Sequence, residues 1–247
     1  MSQGHNRMSK LSRRQLIQTF GVAIAATPFG ALAGCSTDAS SSTNPATPST
    51  NPLSTCTVTA SETAGPYPDI TGMLNSTAFY RRDVREGRSG LPLTVTMTIV
   101  NTNAGCAAVA GLAVEVWQCD ADGHYSEYAQ SGYNGTGQTF LRGLQVTDGN
   151  GQVTFTTVYP GWYSGRATHI HVEIYRSGAS VKTTQIAFPE DVSHAVYQTS
   201  AYASHGQNST TNATDNVFSD GTSTELATLT GDTANGYTAT LTIGAAL

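Results

Sequence analysis

Ten residues constrain this fold more than any others. Leu91-Pro-Leu-Thr-Val-Thr-Met-Thr-Ile-Val100 alternates strictly, with Leu91, Leu93, Val95, Met97 and Ile99 on one side and Thr94, Thr96 and Thr98 on the other. Successive side chains of a strand point to opposite faces, so this pattern predicts a β-strand with one face buried. The same reading predicts strands over 112–118, 142–147, 152–158, 169–175, 181–188 and 237–243. Asp148-Gly-Asn-Gly151 joins two of them as a hairpin turn, and Asp120-Ala-Asp-Gly123 supplies another turn. No segment keeps a helical period, and no internal repeat is present. Many short strands separated by turn signals predict an all-β sandwich.

The stretch from Pro189 to Asn235 is rich in Ser, Thr, Asn and Asp and alternates little. It is expected to wrap the sandwich as irregular structure, with one short helix over 191–198. His194 and His205 lie there and are expected to be surface or hydrogen-bonded histidines.

Charge divides the chain. Its 12 Lys and Arg against 17 Asp and Glu give a net −5 over 247 residues. Residues 1–34 hold four of those basic residues and no acid, so the remainder stands at eight against 17, or −9. The acidic balance of the body argues against a nucleic-acid partner. Ser12-Arg13-Arg14-Gln15-Leu16 precedes a short, weakly apolar run from Phe20 to Ala33, the pattern of an export signal. The paired arginines resemble a twin-arginine signal. Leu32-Ala33-Gly34-Cys35 resembles a lipobox, which makes Cys35 the expected lipidation site. Residues 35–55, almost wholly Ser, Thr, Pro, Ala and Asn, are expected to be a flexible linker. The folded domain is expected over 56–247. The protein is thus expected to be exported to the cell envelope and to touch the membrane only through a lipid anchor.

Pro160-Gly-Trp-Tyr-Ser-Gly-Arg-Ala-Thr-His-Ile-His171 carries the chemistry. His169 and His171 share one face of a strand while Ile170 enters the other layer, so two imidazoles can grip one cation. Tyr163 and Arg166 lie just upstream, and Tyr125 ends the turn Gly123-His-Tyr-Ser126. Two phenolates beside two imidazoles suit a hard, highly charged ion such as Fe(III) better than Zn(II). With eleven tyrosines in the chain, spacing alone leaves Tyr125 and Tyr163 equally open to core or interface roles. A Zn or Cu site using only the histidines is a further alternative.

Four segments, in order, resemble the intradiol ring-cleavage dioxygenases, the family of catechol and protocatechuate dioxygenases. They are Glu62-Thr-Ala-Gly-Pro-Tyr67, Val114-Glu-Val-Trp-Gln-Cys-Asp-Ala-Asp-Gly-His-Tyr-Ser126, Phe140-Leu-Arg-Gly-Leu-Gln-Val-Thr-Asp148, and Tyr159 to His171. The resemblance runs from about Thr59 to Gly244 and is strongest to the exported branch. It implies a sandwich with an immunoglobulin- or prealbumin-like core and a non-haem Fe(III) cofactor held by Tyr125, Tyr163, His169 and His171. It also implies cleavage of a small aromatic diol by O2, between its two hydroxylated carbons, to a muconate-type diacid. Tyr163 matches the labile ligand, Arg166 the arginine that stabilises negative charge on the substrate, and Gln185 a supporting glutamine. Tyr128 and Tyr133 are alternatives that miss the Gly-x-Tyr position. Trp162 is expected either to line the pocket or to pack as a structural residue. Ala187 stands where some protocatechuate enzymes carry a carboxylate-binding tyrosine, so a neutral catechol is the first expectation. A non-catalytic binding module on the same scaffold is the alternative from another class. Of the three pairings open to Cys56, Cys106 and Cys119, similarity to exported relatives favours Cys106–Cys119.

Overall fold

The computed structural model describes residues 56–247; the leader, Cys35 and the linker lie outside the described residues. The strands are β1 (Pro92–Asn101), β2 (Ala107–Ala108), β3 (Ala113–Trp117), β4 (Ala129–Gln130), β5 (Tyr133–Asn134), β6 (Arg142–Val146), β7 (Gln152–Val158), β8 (His169–Arg176), β9 (Ala179–Ala187), β10 (Thr228–Asp232) and β11 (Gly236–Ala245). One α-helix, α1 (Glu190–Val196), follows β9, close to the stretch expected.

Two sheets form the sandwich. The first runs β10–β11–β1, with β7 and β2 both paired to the far side of β1. Within it β1 and β11 are parallel, in register from Leu93↔Tyr237 to Asn101↔Ala245. The second runs β6–β3–β8–β9 and is antiparallel throughout. The alternation of β1 does what its pattern demands: Leu93, Val95, Met97 and Ile99 are buried, and the intervening threonines are half-exposed. They pack with Phe155, Ala239 and Ile243 of their own sheet against Val114, Val116, Ile170, Val172, Ile174 and Ile186 of the other.

β10 was not expected. It is an edge strand whose side chains are exposed apart from a half-buried Leu229, so it carries no alternation to detect. His194 is exposed, and His205 meets the Trp162 carbonyl oxygen at 2.8 Å, both as expected.

The outer face of the second sheet is buried too. Trp117, Arg142, His169, His171 and Gln185 point away from the sandwich core, yet each is at most 2% exposed. The segment ahead of β1 crosses this face, with the Glu62 amide bonded to Thr183 O and the Arg81 amide to Leu144 O. The loops after β3 and β7 cover the rest. Sheets of this kind commonly leave one face to solvent; here that face is roofed, which makes a dry site away from the main core.

The cysteine pairing differs from the expected one. Cys56 bonds Cys106, with Cα atoms 5.7 Å apart, and Cys119 is a buried free thiol. A Cys106–Cys119 bridge fails on geometry. Cys106 sits in the turn between β1 and β2 of the first sheet, whereas Cys119 follows β3 of the second, and bridged Cα atoms must lie within about 7 Å. Cys119 instead packs with Trp117 and Tyr125. The Cys56–Cys106 bond ties the start of the domain to the turn after β1, where Thr59 and Gly244 also exchange hydrogen bonds.

Glu115, on the roofed face, gives the fold a pH dependence. It is 1% exposed and accepts a hydrogen bond from Tyr175 Oη at 2.9 Å. Burial raises its carboxyl from 4.5 to about 8, with Asp69 and Glu173 adding to the rise. A carboxyl whose folded pKa is raised stabilises the fold while protonated. That contribution is complete below the unfolded pKa and is lost as pH climbs towards the folded one. Between pH 4.5 and 8 the melting temperature of the parent should therefore fall relative to that of Glu115→Gln. The expected gap of about 5–10 °C corresponds to a few kcal/mol. Parallel melting curves for the two proteins would remove Glu115 from this role.

Candidate metal centre

β8 opens on the two histidines. Its first and third residues, His169 and His171, share the outer face, while Ile170 enters the core. Register places His171 opposite Trp117 on one side and Gln185 on the other. The Trp117 ring stacks on the His171 ring at 4.7 Å, with the planes 2° apart. Gly65 closes the opposite flank at φ +69°, and a Cβ there would meet His171 Cε1 at 2.9 Å. Only glycine accepts both that conformation and that approach.

Both imidazoles are neutral. Burial lowers His169 from 6.5 to about 3, with the charge of Arg166 adding, and holds His171 well below the usual imidazole range, with His169 and Arg166 adding. His169 Nδ1 lies 2.7 Å from Ala167 O. A carbonyl can only accept, so Nδ1 carries the proton and Nε2 keeps its lone pair. His169 Nε2 and His171 Nε2 approach to 3.1 Å, so both point at one place.

Two loops bring the tyrosines there. After β3, Asp120 Oδ1 accepts the amides of Asp122 and His124, which closes the turn that sends Tyr125 inward. After β7, the Gly161 amide bonds Asp120 O and locks the second loop, with Tyr163, onto the first. A Cβ on Gly161 would lie 2.3 Å from that oxygen. Tyr125 Oη and Tyr163 Oη each stand 3.5 Å from His169 Nε2. Tyr67 stacks on Tyr125 at 4.6 Å. Buried Arg142 braces this region by donating to Ser126 Oγ, Ser126 O and Tyr67 O. Burial pushes the Tyr125 phenol up and that of Tyr163 up to about 12. Protein surroundings alone thus favour the phenol form, a preference that a highly charged cation at the convergence point would reverse.

Arg166 completes the cluster. Its Nη1 lies 3.3 Å from His169 Nε2 and 3.4 Å from Tyr163 Oη. Its Nη2 donates to Gln185 Oε1, and Gln185 in turn donates to Thr63 O at 2.9 Å. The opposite edge of the guanidinium meets Asp215.

Tyr125, Tyr163, Arg166, His169, His171 and Gln185 therefore meet in one place. Tyr128 and Tyr133 do not join them, being turned to Pro68 O and Gln138 Oε1. Trp162 is structural: it donates to Gly206 O and packs on His205. Ala187 is covered by Phe218, which fills the space beside it. Sequence reasoning gave no role to Asp215, Thr63 or Gly65. Thr63 and Gly65 sit in the Glu62–Tyr67 motif, whereas Asp215 stands in a polar stretch without periodicity. A second cluster, Asp120, Asp122 and His124, has ligand atoms within 4.8 Å of one another. The turn accounts for it, because Asp120 Oδ1 is taken by two amides and Oδ2 faces Arg88.

The dioxygenase family model matches residues 65–220, more than half of the sequence. Among solved structures, an intradiol ring-cleavage dioxygenase from Tetranychus urticae is 29% identical with a TM-score of 0.69, covering 77% of this chain and 95% of its own. The dioxygenase domain of a dioxygenase carbohydrate-binding protein fusion from Streptomyces sp. SirexAA-E is 26% identical (TM-score 0.54; 76% and 97% covered). A 3-chlorocatechol 1,2-dioxygenase from Rhodococcus opacus 1CP, at 22% identity, shares the fold (TM-score 0.51; 76% and 72% covered). No curated protein sequence matches the chain. A family match of that length, on a fold shared with such enzymes, makes this chain an oxygenase that belongs to the intradiol ring-cleavage dioxygenase family.

Proposed function

We propose that this protein cleaves a neutral catechol-type diol with O2, between the two hydroxylated carbons, to a muconate-type diacid. Tyr125, Tyr163, His169 and His171 would hold a non-haem Fe(III) for this purpose. The observation that carries the reading is the convergence of two neutral imidazole Nε2 atoms, 3.1 Å apart, with two phenol oxygens, one buried and one half-buried, 3.5 Å from one of them. That donor set fits a ferric ion. Imidazoles already neutral bind without losing a proton, and phenolates are hard anionic donors. Bound iron supplies the Lewis-acid and one-electron chemistry that opens the diol to O2.

The protein side of the reaction follows from the side chains. Tyr163 is the more exposed of the two tyrosines, and its phenolate oxygen is the base that takes a proton from an incoming diol hydroxyl. Tyr125, fully buried beneath Tyr67, stays in place. Arg166 sets a fixed cation beside the ring, where negative charge develops. Trp117 and Tyr67 keep water from the inner side.

Two features favour an uncharged substrate. Phe218 covers Ala187, so that position offers a substrate carboxylate no donor. Glu62, raised to about 7 by burial and by the charges of Glu225 and Asp220, is close enough to Arg166 for their charges to interact, so an acid group stands near the arginine. We further propose that the leader exports the chain and that Cys35 carries its lipid, on the strength of the paired arginines and the Leu-Ala-Gly-Cys segment.

The test uses the purified, iron-loaded protein. A visible tyrosinate-to-Fe(III) charge-transfer band is expected to shift on adding catechol. Oxygen uptake should be faster with catechol than with protocatechuate, and hydroxyquinol completes the comparison. A colourless protein that binds no iron and takes up no oxygen would instead make the chain a binding module on this scaffold.

A further inference from the structure

The long polar segment between α1 and β10 contributes one buried charge to the centre. Asp215 has a side-chain exposure of 0%, against 10% for Arg166. Its carboxylate accepts four N–H contacts. Arg166 Nε meets Oδ1 at 3.1 Å and Oδ2 at 2.9 Å, the Ala167 amide meets Oδ2 at 2.7 Å, and the Val217 amide meets Oδ1 at 2.8 Å. Asp215 is thus pinned to the backbone on both sides of the contact and has no freedom to follow a moving arginine. Phe218 lies against the guanidinium, its ring centroid 5.6 Å from Cζ. Asn208 ties the Arg166 carbonyl to the same segment by a 2.9 Å hydrogen bond.

A guanidinium is a planar fork, so fixing two of its nitrogens fixes the third. Asp215 holds Nε, and Gln185 holds Nη2. Nη1 is then aimed at Tyr163 Oη and His169 Nε2. We infer that Asp215 is a positioning residue, which aims the Arg166 guanidinium at the substrate ring from outside the centre. This rests on the role given to Arg166 above. The chemistry requires an acid here. Every group that meets Asp215 is a donor, and an asparagine amide would turn its own N–H groups on at least one of them.

The experiment compares Asp215→Asn, Arg166→Ala and the double variant with the parent, all iron-loaded. Turnover, anaerobic affinity for catechol (read from the charge-transfer band) and melting temperature are recorded. Asp215→Asn should lower kcat by about 10–100-fold, the scale of a misplaced catalytic group, and change catechol affinity by less than about threefold. In the Arg166→Ala background the same change should cost less than about threefold, because there is no guanidinium left to aim. An equal loss in both backgrounds would mark Asp215 as merely structural. Parental kcat in Asp215→Asn beside a slow Arg166→Ala would overturn the positioning role and leave the proposed function intact. A parent with no turnover of any diol would overturn both. If Asp215→Asn does not fold, Arg166→Lys decides, since it leaves Asp215 its cation but removes the fork. Turnover as low as that of Arg166→Ala supports the aim, and parental turnover overturns it.

Discussion

Replacing Arg166 with alanine is expected to lower catechol turnover by about 10²–10³-fold while iron stays bound and the protein keeps its colour. Arg166 is absent from the proposed donor set, and its Nη1 stands beside that set at 3.3–3.4 Å. Its contribution is a charge that exists before substrate arrives, in a site walled by Trp117, Tyr67 and Phe218. Little water is there to screen it, so the cation acts at close to full strength on charge developing in the ring. The variant carries a second consequence. Asp215 loses its partner, and an orphaned buried carboxylate costs about 3–5 kcal/mol of stability. Melting temperature should therefore fall in Arg166→Ala and recover in part when Asp215 is also neutralised, while turnover stays low in both. Turnover is measured by oxygen uptake, iron by metal analysis. Full turnover at unchanged iron content would remove Arg166 from the reaction.

The sequence made the centre legible in unequal parts. His169 and His171 followed from strand alternation, because a period of two is enough to put both rings on one face. Burial on both sides of β8 was not predicted. The roof over that face is built by loops and by the segment ahead of β1, whose contacts are long-range and leave no local period. Tyr125 and Tyr163 lie 38 positions apart and were found through motif order rather than spacing. Their meeting is supported by a backbone bond between two loops, Gly161 N to Asp120 O, and by the Tyr67 ring that contacts both. The cysteines failed for a related reason. Similarity to exported relatives favoured Cys106–Cys119, but those residues belong to different sheets, and Cys56 reached Cys106 across 50 residues. Asp215 was missed outright. It stands among Ser, Thr and Asn in an irregular segment, where one acid looks like any other solvated group until the fold buries it.

His171→Ala should show the opposite pattern to Arg166→Ala: iron is lost first, and colour and turnover go with it. The ring is 0% exposed and held from both flanks, by the parallel Trp117 face at 4.7 Å and by Gly65. The Thr63 backbone lies within hydrogen-bonding reach of the ring. Packing on both flanks and that contact together set the orientation of Nε2. Alanine removes one of the four proposed donors and leaves a void that Trp117, fixed in the strand ladder, is poorly placed to fill. Losing a partner that merely orients a ligand typically costs about 10–100-fold in metal affinity, so losing the ligand itself should cost more than about 100-fold. The measurement is iron per chain after dialysis against a chelator, together with the charge-transfer band. Asp120→Asn serves as the control for the competing Asp120, Asp122 and His124 cluster. It should loosen the turn that carries Tyr125 and lower the melting temperature, yet retain iron. Iron lost in Asp120→Asn and kept in His171→Ala would move the metal to the turn and overturn the four-donor centre.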